Sequence, residues 1–194
     1  VEMFTGIVQG MGEVISFENG SLCVELPHLS DIEQGASIAI DGVCLTVTGF
    51  TEERIWFDVV EETLNLTTLA YLSAGDTVNF ERAAKVGDEI GGHEMSGHVS
   101  CTATIESHED GLMRFSLASK WLKYVTAKGF IAVDGCSLTV VEPDSTGFSV
   151  ALIPETLSRT RFGSKAPGDE VNIEIDAKTQ AIVDTVERMM QAGD

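Results

Sequence analysis

Residues 38–47 read IAIDGVCLTV, and residues 131–140 read IAVDGCSLTV. Seven of these ten positions are identical, and the offset between the copies is 93 residues. Each copy has the form strand, Asp-Gly, strand, the strongest short-range signal for a β-hairpin. In the second strand Cys44 and Thr46, or Ser137 and Thr139, alternate with apolar Leu and Val. A period of two puts the polar pair on one face of the sheet and the apolar pair on the other. A face carrying hydroxyls and a thiol beside a turn suits a ligand wall, and equally a plain hairpin with small polar residues toward water.

The duplication extends beyond the hairpins. Glu62, Thr63, Leu64 and Thr67 recur as Glu155, Thr156, Leu157 and Thr160. Gly75, Asp76, Val78, Asn79 and Glu81 recur as Gly168, Asp169, Val171, Asn172 and Glu174. Each half offers about six short strands with turn signals roughly every ten residues, the spacing of an all-β barrel or sandwich. A repeat this long is a duplicated domain, not a solenoid. The expected layout is an N-terminal barrel over 1–90, a C-terminal barrel over 91–175 and a helix over 176–194. The first strand is expected within 3–15, interrupted by glycines, and a short helix over 121–129. The linking stretch AAKVGDEIGGHE is too short and too apolar for a floppy tether, so the barrels should touch.

The tail has no counterpart in the first half. Asp176 is placed to cap a helix, and Ile182, Val186, Met189 and Met190 form one stripe widened by Val183, with Asp184, Glu187 and Arg188 elsewhere. The stripe covers either its own barrel or copies of itself.

Among 194 residues, 12 Lys and Arg face 31 Asp and Glu, a net charge of −19. That balance argues against nucleic acid and anionic membranes as partners, since both select basic patches. No apolar run is long enough to span a bilayer, and the first residues do not form a secretory signal. Cys23, Cys44, Cys101 and Cys136 fit neither a zinc template nor a disulfide framework, so a reducing cytoplasm is expected. His93 and His98, five apart, fall on opposite faces of an extended chain and lack companion ligands, so no metal is expected.

In combination the opening MFTGIV, both hairpins, GGHEMSGHV, LIPETL and the tail TQAIVDTVERM resemble the riboflavin synthase family. The resemblance covers nearly the whole chain. It implies two six-stranded Greek-key barrels plus a C-terminal helix through which three chains associate. It further implies dismutation of two 6,7-dimethyl-8-ribityllumazine molecules by four-carbon transfer, giving riboflavin and 5-amino-6-ribitylaminouracil. No cofactor or metal is implied, and association with lumazine synthase is a further partnership the family suggests. The productive site would form between the N-terminal barrel of one chain and the C-terminal barrel of a neighbour.

Carried over residue by residue, the family's contacts in the N-terminal barrel fall on Gly6, Ile7 and Val8, on Cys44, Leu45 and Thr46, and on Glu61, Glu62, Thr63, Leu64, Asn65 and Leu66. In the C-terminal barrel they fall on Gly97, His98 and Val99, on Lys128, on Ser137, Leu138 and Thr139, and on Leu152, Ile153, Pro154, Glu155, Thr156 and Leu157. His98, Ser137 and Thr139 are expected to handle proton transfer at the C-terminal site, and Cys44 to polarise or attack at the N-terminal site. Backbone amides of the CLTV and SLTV strands are expected to bind ring oxygens, and Glu62 and Glu155 the ribityl hydroxyls. The main alternative is a non-catalytic lumazine or flavin antenna protein. A flavin reductase domain is disfavoured because no G-x-G-x-x-G loop opens a helix.

Overall fold

The computed structural model describes residues 3–27 and 30–192. The stretch 27–35, whose acidic composition reads as a turn, therefore lies partly outside the described residues. Twelve strands close into two antiparallel barrels of six. The first comprises β1 (Gly10–Glu18), β2 (Ser21–Glu25), β3 (Ser37–Ile40), β4 (Val43–Phe50), β5 (Arg54–Asp58) and β6 (Thr77–Arg82), in the order β1-β2-β5-β4-β3-β6. The second comprises β7 (Cys101–Glu109), β8 (Leu112–Ser116), β9 (Phe130–Val133), β10 (Cys136–Val141), β11 (Gly147–Ala151) and β12 (Glu170–Ile175), with the same cyclic order. Closure leaves neither sheet an exposed edge.

The repeated stretch forms the expected hairpins. Ala39 pairs with Cys44 and Ala132 with Ser137. Asp41, Gly42, Asp134 and Gly135 all have positive φ, as a type I′ turn demands. Leu45 and Val47, with Leu138 and Val140, point into the two barrel cores, while Cys44 and Ser137 are half-buried and Thr46 and Thr139 exposed. Asn19-Gly20 and Asp110-Gly111 make two more positive-φ turns, the second closing β7 onto β8.

Two local expectations are corrected. The first strand begins only at Gly10, because Gly6 sits at φ 74° and takes the preceding segment out of the first barrel. The helix expected over 121–129 is a single turn, α2 (Ser119–Leu122). Successive bonds from Tyr124 N to Trp121 O and from Gly129 N to Thr126 O tighten the chain, and Lys128 at φ 64° cannot continue a helix.

The barrels meet along a pseudo-twofold axis. Phe4 and Met95 pair as an antiparallel bridge, and with Ala39 and Ala132 they form a small core of their own. The two Asp-Gly turns abut, a Cβ on Gly42 standing 2.6 Å from Gly135 N. This contact buries Asp41 and Asp134 completely. Each carboxylate accepts a backbone N–H, from Asn79 (2.8 Å) and Asn172 (2.7 Å) respectively. Each Asn side chain then donates across the axis, Asn79 to the Asp134 carbonyl and Asn172 to the Asp41 carbonyl. Arg161 pairs with Asp41, and Lys165 lies 3.3 Å from Asp134.

The tail helix α4 (Ala177–Gln191) starts at Asp176, whose side chain accepts from Thr179 N at 2.9 Å. It lies on its own barrel with its polar side inward. Tyr124 donates to Asp184 at 2.5 Å, Lys123 bonds Glu187, and Val183 touches the C-terminal core.

Candidate active site

Three chain segments converge at Ser137. Its amide donates to the Gly6 carbonyl (2.9 Å), and its hydroxyl lies 2.6 Å from His93 Nδ1. Val8, two residues beyond Gly6, is packed into the C-terminal barrel core. The mirror arrangement stands on the other side of the axis: Cys44 N donates to the Gly97 carbonyl (2.9 Å), and Val99 packs into the N-terminal core. The leading segment of each half thus docks on the barrel of the other half.

Two buried glutamates hold these crossed segments. Glu81 accepts from Thr5 N, Thr5 Oγ1 and Gly6 N at 2.6, 2.7 and 3.0 Å. Glu174 accepts from Ser96 N, Ser96 Oγ and Gly97 N at 2.7, 2.9 and 2.9 Å. Burial pushes both carboxyls above their ordinary pKa, and these hydrogen bonds oppose the rise. Each glutamate satisfies the backbone of a segment that belongs to no sheet, which is why the segment keeps one course.

The crossing corrects the grouping read from the sequence. Gly6, Ile7 and Val8 lie with Ser137, not with Cys44; Gly97, His98 and Val99 lie with Cys44, not with Ser137. The proton-transfer set assigned to one site is therefore divided, with His98 exposed on the segment that docks at Cys44. A second correction concerns the backbone. The amides of Cys44 and Ser137 are already engaged by Gly97 and Gly6, so they are not free to bind ring oxygens.

A cleft of about 200 Å³ opens beside Ser137, lined by Gly6, Ile7, Val8, Cys136, Glu155, Thr156, Arg159 and Thr160. Helix α3 (Pro154–Arg159) supplies its rim, and Leu157 anchors that helix on the barrel core. Glu155 and Arg159 form an exposed pair at 3.2 Å, one turn apart. The cleft combines apolar Ile7 and Val8 with the Ser137 hydroxyl and the Glu155 carboxylate. Among the expected contacts, Leu138 and Leu152 are buried under the site and shape it from below, and Ile153, Pro154 and Thr139 are exposed around it. Lys128 is exposed on the turn before β9. In the first half α1 (Glu61–Leu66) is the counterpart of α3, with Glu61, Glu62, Asn65 and Leu66 exposed and Leu64 packed on the core. Arg159, Thr160, Cys136 and His93 were not singled out as site residues from the sequence. The aligned LIPETLSRT and VVEETLNLT stretches repeat Thr160 as Thr67 but set Arg159 opposite Leu66, so they mark only the threonine, and His93 stands out locally only as a weak metal candidate.

A larger cleft of about 410 Å³ lies elsewhere on the N-terminal barrel, lined by Glu13, Glu25, Glu52 and Glu53. Among the described residues no group of three metal-ligating side chains converges, and no helix is long and apolar enough to cross a membrane.

Two closed barrels, each carrying the leading segment of the other half, define a duplicated-barrel protein. The Lumazine binding domain family matches residues 5–83 and 96–176, one copy for each barrel. The chain is 50% identical to riboflavin synthase of Escherichia coli (strain K12), covering 98% of this chain and 94% of that one. It is also 50% identical to riboflavin synthase of Chlamydia pneumoniae, covering 98% of each. The structure of LumP complexed with 6,7-dimethyl-8-(1'-D-ribityl) lumazine shares the fold, with a TM-score of 0.76 and 23% identity over 88% of this chain and 98% of that one. The chain belongs to the riboflavin synthase family.

Proposed function

We infer that this chain is a transferase that converts two molecules of 6,7-dimethyl-8-ribityllumazine into riboflavin and 5-amino-6-ribitylaminouracil. Half-identity with riboflavin synthases along the full chain is the observation that carries this inference. Building one ring system from two identical molecules requires holding them face to face in opposed orientation. Two copies of one site, related by a twofold, supply that geometry, and proximity with orientation lowers the barrier by up to about 7–11 kcal/mol in well-aligned cases. The C7 methyl of the substrate is acidic because the ring delocalises the carbanion, so modest acid-base help suffices. Ser137 and Thr139 at one site, and Cys44, Thr46 and His98 at the other, are proposed to contact the ring. Glu155 and Glu62 are proposed to accept from the ribityl hydroxyls. Cys23, Cys101 and Cys136 carry free thiols, which suits a cytoplasmic setting.

We place the productive pair between two chains, in a homotrimer. Within one chain the sites at Ser137 and Cys44 flank the packed Phe4, Ala39, Met95 and Ala132 core, so ligands there cannot stack on each other. The outer face of α4 supplies the means of association: Ile182, Val186, Met189 and Met190 are 65, 50, 72 and 71% exposed. A helix that turns its polar side to its own barrel and its apolar stripe to solvent is incomplete as a monomer. The Met189→Asp variant is expected to sediment as a single chain while keeping its fold, because the Tyr124–Asp184 and Lys123–Glu187 contacts remain. A variant that still sediments as a trimer would contradict this.

Turnover decides between enzyme and antenna. Mixed with the lumazine alone, the purified protein should develop riboflavin fluorescence, with two lumazines lost per riboflavin formed. An unchanging bound-lumazine spectrum would instead mark a non-catalytic binding protein.

A further inference from the structure

His93 belongs to no strand or helix of the two barrels. The residue is 7% exposed, and its ring stacks on Phe130 with centroids 5.2 Å apart and planes 14° from parallel. Nδ1 lies 2.6 Å from Ser137 Oγ, and Nε2 is buried with no hydrogen-bond partner among the described residues. The backbone is drawn in to make this possible. His93 N donates to the Thr5 carbonyl at 3.1 Å, and a Cβ on Gly92 would stand 2.3 Å from that oxygen and 2.6 Å from Ser137 Cβ. Only glycine lets the ring come this close.

We propose that His93 is a positioning residue for Ser137, donating from Nδ1 to the serine oxygen and so turning the serine O–H into the ligand cleft. The proposal rests on the place given to Ser137 in the function proposed above. Burial holds the imidazole below its ordinary pKa, so one ring nitrogen carries a proton and the other does not. A proton on Nε2 would be a buried N–H with no acceptor, the rarest and costliest kind of orphan. With the proton on Nδ1, Ser137 Oγ accepts from His93, and its own hydrogen is directed away from the imidazole, toward the cleft it lines. A ring carbonyl held there meets an oriented O–H donor. At the other site the same position is Cys44, whose thiol is a weaker donor. Two matched sites thereby treat two identical molecules differently, as a reaction with one donor and one acceptor requires.

A double-mutant cycle with a rescue arm tests this. Asn at position 93 can place its amide near the site of Nδ1, while Gln reaches toward Nε2. His93→Gln is expected to lower kcat about tenfold, the loss of one oriented hydrogen bond, and His93→Asn to recover most of it. Ser137→Ala alone should lower kcat similarly, and adding His93→Gln to it should cost nothing more. Melting temperatures of all variants separate a packing defect, which would appear equally in both backgrounds. If Ser137→Ala slows turnover but His93→Gln costs as much in that background as in the native one, or if Asn and Gln are equivalent, His93 does not act through Ser137. If Ser137→Ala turns over at the native rate, the proposed role of Ser137 fails and this inference falls with it.

Discussion

Alanine at Gly6 is expected to slow turnover about a hundredfold. Gly6 has φ 74°, and a Cβ there would stand 2.4 Å from Ser137 Cβ, 2.7 Å from Met95 Sδ and 2.8 Å from Ser137 N. An ordinary carbon contact needs about an ångström more, so the first segment or β10 must move by that amount. Displacements of that size at a reacting centre cost on the order of a hundredfold in rate. Gly35→Ala separates this from backbone strain. Gly35 has φ 89° with nothing within 4 Å of its would-be Cβ, so alanine there carries the strain of a left-handed residue without the clash. The check is kcat for both variants: Gly6→Ala should be severely impaired and Gly35→Ala native-like. Equal rates would show that close approach at Ser137 does not shape the site.

Leucine at Arg161 is expected to destabilise the fold by about 3–5 kcal/mol, the usual consequence of stranding a fully buried charge. The stranded group is Asp41, which is completely buried and pairs with this guanidinium. Burial first, and the neighbouring Asp134 second, raise the Asp41 pKa to about 7, while Arg161 pulls it back. Removing Arg161 lets the pKa rise further. The native carboxyl then binds a proton more tightly than its unfolded counterpart, so stability is gained as pH falls through the native pKa. The penalty should be greatest near pH 8.5 and shrink near pH 6. Urea unfolding at both values measures it; a loss below about 1 kcal/mol at the higher pH would mean that the pair contributes no more than a surface ion pair.

The barrels and their hairpins were legible because their signals are local. Asp41-Gly42 and Asp134-Gly135 need only a turn preference, and Leu45 and Val47 need only alternation. The cap at Asp176 is equally local. The crossing of the leading segments was not legible: Gly6 and Gly97 announce a break in a strand, but nothing in six residues says which barrel the segment joins. The burial of Asp41 and Asp134 ran against the ordinary expectation that turn residues face water, because it arises from two turns meeting across the axis. The repeat does carry one clue. Asn79 and Glu81 recur as Asn172 and Glu174 inside strands, where a carboxylate has little reason to be retained in both copies unless it holds backbone. The apolar stripe of α4 is legible from its spacing, but periodicity alone does not say which side of the helix meets its own barrel.

The most direct test of a site shared between chains is complementation. Gly6→Ala damages the site at Ser137 and Gly97→Ala the site at Cys44, since a Cβ on Gly97 would stand 2.5 Å from Cys44 Cβ. Each variant alone should be nearly inactive. Unfolded together in equal amounts and refolded, they should regain about one quarter of native turnover, because a productive pair draws one intact site from each of two independently chosen chains. A mixture as inactive as its parents would place both reacting molecules within a single chain and contradict the account.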